Sequence, residues 1–98
     1  MFTKMRQANR RDTNQSQLVS DLRQAHFTVA DTSMVGNGFP DLVIARNQIN
    51  LLIEVKDTRG QLSPGQHAFA LEWKGPVIVA HSIEDILNIF RDELWRRR

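Results

Sequence analysis

The 98-residue chain has room for one domain, and its 41% hydrophobic and 24% charged residues exclude a disordered polypeptide. It has no cysteine, which excludes a disulfide framework, Cys-ligated zinc and thiol catalysis and fits a reducing compartment. Thirteen Lys and Arg stand against eleven Asp and Glu, but they are unevenly spread. Lys4, Arg6, Arg10 and Arg11 make a basic N-terminal segment over 1–11, and Arg96, Arg97 and Arg98 make a basic tail, around a slightly acidic body at 12–95. Basic ends suit phosphate attraction, but on charge alone solubilising tails are the favoured reading. The longest apolar runs are four residues, too short to cross a membrane, and the N-terminus has no apolar signal core, so the chain reads as cytoplasmic.

In chain order, residues 1–11 read as mobile. Asp12 and Asn14 are candidate caps for a first helix whose stripe is Leu18, Val19, Leu22 and Ala25. Phe27 to Asp31 alternates as a short strand, and Val35 to Pro40 is a glycine-rich loop. Asp41–Arg46 and Asn50–Lys56 read as strands of a hairpin turning at Asn47 and Gln48. Ser63-Pro64-Gly65-Gln66 opens a second helix running to about Lys74, with Ser63 as N-cap, Pro64 at its first position and Gln66 as capping-box partner. Pro76 to His81 reads as a buried strand. Ser82-Ile-Glu-Asp starts a last helix with Ile83, Ile86, Leu87, Phe90 and Leu94 facing inward; Ile89 and Trp95 fall off that stripe as a candidate dimer surface. Both strands of the hairpin are apolar on both faces, so helices should cover both sides. The expected fold is α/β: a single domain with a mixed central sheet flanked by helices, in the order α-β-β-β-α-β-α.

Against that apolar background Asp41, Glu54 and Lys56 stand out. Glu54 and Lys56 are two apart on one strand and share a face. Asp41 joins them only if opposed residues of the hairpin sum to an odd number. A two-residue turn pairs Arg46 with Ile49 and a four-residue loop pairs Arg46 with Leu51; both satisfy the condition. Two crowded carboxylates repel unless a cation lies between them, and hard oxygen ligands with open positions suit Mg²⁺ or Mn²⁺. With a lysine alongside, the set matches metal-assisted hydrolysis of a phosphodiester. The bland alternative is a cross-strand ion pair worth only ~0.2–1 kcal/mol.

Gly38-Phe-Pro40-Asp41, twelve intervening residues and then Glu54-Val-Lys56 resembles the signature of the PD-(D/E)XK nucleases. Gly36 to Ile44, Leu52 to Asp57 with Leu62 to Gln66, Gly75 to Ala80 and Ser82 to Asp85 together resemble the virus-type replication-repair nuclease (VRR-Nuc) branch. The resemblance covers Arg11 to Phe90 and implies a restriction-endonuclease-like core and a metal-dependent DNA endonuclease. It implies that Asp41, Glu54 and the backbone carbonyl of Val55 ligate Mg²⁺ or Mn²⁺. Lys56 would position the attacking water and stabilise the transition state, and Gln66 would bridge the second helix to the site. Family members usually carry a glutamate on the first helix where this chain has Gln17, which keeps an oxygen donor and loses a charge. The resemblance further implies a homodimer selective for DNA structure, like a Holliday-junction resolvase, in a bacterial or phage setting. The alternative is a non-catalytic DNA-binding module that retains the fold.

Among the remaining polar residues, His26, His67 and His81 share no metal-ligand spacing and are not read as site residues. Gly36 and Gly38 suit turn geometry or close approach to DNA. Arg46, Arg59 and Gln61 are exposed candidates for phosphate contacts, and Trp73 and Trp95 are assigned to core or interface.

Overall fold

The computed structural model describes residues 14–57 and 60–96, with side chains as far as Arg91 within the last helix. The expectations placed on segment 1–11, on Asp12 as a cap, on Arg59, on the side chains of Leu94 and Trp95 and on Arg97 and Arg98 of the basic tail lie outside the described residues.

The first helix, α1, covers residues 14–24 and buries Leu18 and Leu22. Asn14 is itself helical and therefore does not cap the helix. The helix ends in a Schellman motif: His26 N–H donates to the Arg23 carbonyl and Phe27 N–H to the Leu22 carbonyl, both at 3.0 Å. His26 takes the left-handed conformation that this motif demands, at φ 71°. Four strands follow: β1 (Thr28–Asp31), β2 (Leu42–Arg46), β3 (Ile49–Val55) and, after helix α2 (Pro64–Glu72), β4 (Val77–Ala80). Helix α3 (Ile83–Arg96) completes the chain. The sheet order is β1-β2-β3-β4, antiparallel between β1, β2 and β3 and parallel between β3 and β4. The α/β class, mixed sheet and element order agree with the sequence reading.

Asn47 and Gln48 both have positive φ, 54° and 70°, forming the two-residue turn whose twist matches the strands it joins. Arg46 therefore faces Ile49, and Leu42 faces Ile53. One face of the sheet carries Leu42, Ile44, Leu51, Ile53, Val55 and Ala80, which form a single core with Leu18, Leu22, Phe27, Ile86 and Phe90. Phe27 and Phe90 meet edge to face at 5.1 Å.

The other face is covered more thinly than expected. Helix α2 buries none of its residues; Leu71 and Trp73 are exposed, Trp73 stacking on Phe69 at 5.2 Å instead of entering the core. Strand β4 is an edge strand rather than a buried one, and its Val79 is 38% exposed on this face. Arg46 is no exposed phosphate contact either. Its guanidinium lies over the rings of Phe27 and Phe90, 4.4 and 4.6 Å from their centroids, and Nη1 donates to the Ala25 carbonyl at 2.6 Å. Among the described residues no helix is long and apolar enough to cross a membrane.

Candidate active site

The hairpin register decides the site. One step beyond the Leu42–Ile53 pair, Asp41 falls opposite Glu54, on the thinly covered face. Both are buried, Asp41 at 7% and Glu54 at 1% exposure, where a bare charge is costly. Asp41 Oδ2 accepts the Val55 N–H at 2.9 Å, tying its carboxylate to the last residue of β3. Its main chain is fixed from the loop side: Thr32 N–H donates to the Asp41 carbonyl and Thr32 Oγ1 to the Pro40 carbonyl, each at 2.8 Å.

Helix α2 enters through a close backbone contact. A Cβ on Gly38 would sit 2.4 Å from the Gly65 carbonyl oxygen, and Gly38 has φ +79°, so only glycine fits there. The glycine loop thus approaches the start of α2, and this approach accounts for Gly38 without a nucleic acid. The next residue, Gln66, does two things with one amide. Its Oε1 accepts the Ser63 N–H at 2.8 Å while Ser63 Oγ accepts the Gln66 N–H at 3.2 Å, which is the capping box. Its Nε2 donates to Glu54 Oε2.

Glu54 is consequently held on one side only. Oε2 receives Gln66 and faces the Lys56 ammonium at 3.9 Å. Oε1 is buried with no hydrogen-bond partner among the described residues. Burial first, and the Asp41 charge second, push the Glu54 carboxyl up to about 7, against a smaller opposing pull from Lys56. A buried acceptor without a donor, beside a second carboxylate, is the environment that a cation would satisfy. Among the described residues no group of three or more His, Cys, Asp and Glu side chains could hold a metal, so two carboxylates are what the side chains offer. That number suits Mg²⁺, which keeps several waters and commonly takes one or two protein carboxylates. It does not suit a closed zinc or calcium cage.

Asp41, Glu54, Val55, Lys56 and Gln66 are thus brought together by one strand end, one loop and one helix N-terminus. Gln17 is not drawn into this set. It is exposed, and its amide donates to Asp21 Oδ1 at 2.9 Å, one turn along α1. His67 and Gln61 are exposed. His81, set aside for want of metal-ligand spacing, has its ring against the Lys56 main chain. Nothing in the strand pattern signals that contact, because it depends on the parallel register of β3 and β4.

The family model of the VRR-NUC domain matches residues 4–82, most of the chain. No curated protein and no solved structure matches it.

Proposed function

Since the chain belongs to the VRR-NUC domain family, a nuclease-type domain that processes DNA, we propose that it is a divalent-metal-dependent endonuclease hydrolysing DNA phosphodiester bonds. The observation that carries the reading is the lopsided carboxylate of Glu54, saturated at Oε2 and unpartnered at Oε1 beside buried Asp41. Asp41, Glu54 and the Val55 carbonyl would hold Mg²⁺ or Mn²⁺. When bound, such an ion supplies Lewis-acid polarisation of the phosphate and lowers the pKa of water.

The chain's own residues would do the rest. Gln66 fixes Glu54 Oε2, which aims Oε1 and stops the carboxylate from rotating towards Lys56. Lys56, 14% exposed at its side chain, offers an ammonium that water and DNA can reach. That ammonium would hold the attacking water in line and stabilise the extra negative charge on the phosphorane oxygens as the P–O3′ bond breaks. The products would be a 5′-phosphate and a 3′-hydroxyl. The low-polarity surroundings strengthen each of these interactions.

We also propose that the enzyme acts as a homodimer on branched DNA, in the manner of a Holliday-junction resolvase from a bacterial or phage-infected cell. The support is the family resemblance and Ile89, half-buried and off the inward stripe of α3. Paired sites related by a two-fold axis would cut two strands. The alternative of a non-catalytic DNA-binding module draws on Gln17, an amide where family members usually carry a glutamate, which bonds to Asp21 instead of joining the site.

The test is cleavage of end-labelled four-way junction, flap, duplex and single-stranded DNA with Mg²⁺, Mn²⁺, Ca²⁺ or EDTA. Cutting that needs Mg²⁺ or Mn²⁺ and falls about 10²–10³-fold in Lys56→Ala establishes the enzyme, and symmetric nicks in the junction establish the resolvase. Binding without cutting, unrestored by Gln17→Glu, leaves the binding module.

A further inference from the structure

His81 follows β4 directly, at the C-terminal end of the two parallel strands, where Glu54 and Lys56 lie. Its ring Nδ1 is 3.0 Å from the Lys56 carbonyl oxygen. A carbonyl oxygen only accepts, so Nδ1 carries the proton and the ring is held in one orientation. On the other side of the same residue, Lys56 N–H donates to the Ala80 carbonyl at 3.0 Å. Lys56 lies beyond the last residue of β3, yet both its main-chain polar groups are held by the successive residues Ala80 and His81. His81 is itself anchored, its N–H donating to Asp85 Oδ2 at 2.8 Å in the first turn of α3.

We propose that His81 is a positioning residue for Lys56. By holding the Lys56 carbonyl it extends the strand conformation one residue past the ladder. The lysine side chain therefore leaves the backbone on the Glu54 face, two residues on. Released from the ring, Lys56 would become the first residue of a loop, and its long side chain would spread over many rotamers at the moment its charge is needed. This inference rests on the nuclease reading above.

The two ring nitrogens can be separated by substitution, because an Asn amide nitrogen lies close to where Nδ1 was and a Gln amide nitrogen close to where Nε2 was. His81→Asn, His81→Gln and His81→Ala are compared with wild type and Lys56→Ala for kcat, KM and Tm on the labelled DNA that wild type cuts best. Hydrogen bonds that support metal ligands are worth about 10- to 100-fold in activity, and a loss of that size is expected for this one. The expected result is that loss of kcat in the Ala and Gln variants, with KM and Tm unchanged, and recovery in the Asn variant. A nitrogen-15 spectrum of the metal-free protein at pH 8 should place the His81 proton on Nδ1. Gln retaining activity where Asn loses it would mean that the ring works through Nε2 and would overturn the proposal. So would full activity in all three variants, losses that merely track Tm, or a proton on Nε2. Failure of wild type to cut any of the DNAs would remove the nuclease reading and this inference with it, a result distinct from every pattern among the His81 variants.

Discussion

Strands β2 and β3 build two unlike surfaces from alternate residues of the same segments. Leu42, Ile44, Leu51, Ile53 and Val55 point one way, into a core closed by α1 and α3. Asp41, Val43, Leu52 and Glu54 point the other way, towards a helix none of whose own residues is buried. Full burial of each large apolar side chain contributes roughly 1.5–3 kcal/mol, so the sealed face supplies stability in bulk. The open face spends some of it on two adjacent buried carboxylates. Because a strand alternates strictly, each face can be set independently, and the costly chemistry sits back to back with the residues that offset it.

The comparison breaks most visibly at Phe90 and Lys56. Phe90 is fully buried on the sealed side, and Phe90→Ala should cost ~3–5 kcal/mol. That is a large part of the ~5–15 kcal/mol typical of a whole domain. Urea titration should show a much lower midpoint. Lys56→Ala should leave that midpoint almost where it was and lower cleavage by about 10²–10³-fold, the usual consequence of removing one transition-state donor. If Lys56→Ala unfolded the chain, or Phe90→Ala left it intact but inactive, the separation of the two faces would be wrong.

Glu54→Gln sharpens the contrast through pH. The Glu54 carboxyl is raised from 4.5 to about 7, so the folded state keeps a proton that the unfolded chain releases between those values. Stability of the metal-free protein should therefore fall as pH rises through that window and level off above it. At pH 8 the Gln variant should be more stable than wild type by on the order of 1–3 kcal/mol, since each pKa unit is worth ~1.4 kcal/mol. Near pH 4 the difference should close. Added Mg²⁺ or Mn²⁺ should raise the wild-type Tm at pH 8 and leave that of the variant in place. Equal pH profiles for the two proteins would mean that Glu54 carries no trapped charge.

The hairpin and the site were readable in the sequence to very different depths. Asp41, Glu54 and Lys56 could be placed on one face because period-two alternation and a two-residue turn leave few registers, and the odd-sum rule allowed both common ones. The Ser63–Gln66 capping box was equally legible, being local to four residues. What stayed hidden needed contacts between distant segments. Gly38 against Gly65, His81 against Lys56 and Arg46 over two phenyl rings leave no periodic trace. The exposure of Trp73 and Val79 was misjudged for the same reason, since an apolar side chain does not declare whether a neighbour will cover it.

Gln66 belongs to both halves of the comparison, and two substitutions divide its duties. Gln66→Ala removes the cap acceptor and the donor to Glu54 together. It should lower stability by ~0.5–1.5 kcal/mol through the lost bond to the Ser63 N–H, while the Ser63 side chain still caps the helix, and weaken metal binding by about 10- to 100-fold. Gln66→Glu keeps an acceptor for the Ser63 N–H and removes the Nε2 donor, so the cap should survive while Glu54 loses its restraint. Calorimetric titration with Mn²⁺, run beside thermal melts, separates the outcomes. If both variants bound metal like wild type, the bond to Glu54 would be incidental to the cap.

The smallest effect lies at the far end of the sealed face, where His26 closes α1. Its φ of 71° strains any residue with a Cβ, and glycine occupies this Schellman position at lower conformational cost. His26→Gly should therefore raise stability by ~0.5–1 kcal/mol, seen as a small upward shift of the urea midpoint. The imidazole is exposed to solvent, whereas the main-chain bonds from His26 to Arg23 and from Phe27 to Leu22 persist whatever the side chain. Metal affinity and cleavage rate should stay at wild-type values, because the gain is confined to the end of a helix that packs on the apolar face. A change in cleavage that accompanied this gain would show the two faces to be coupled through α1, the helix that also carries Gln17.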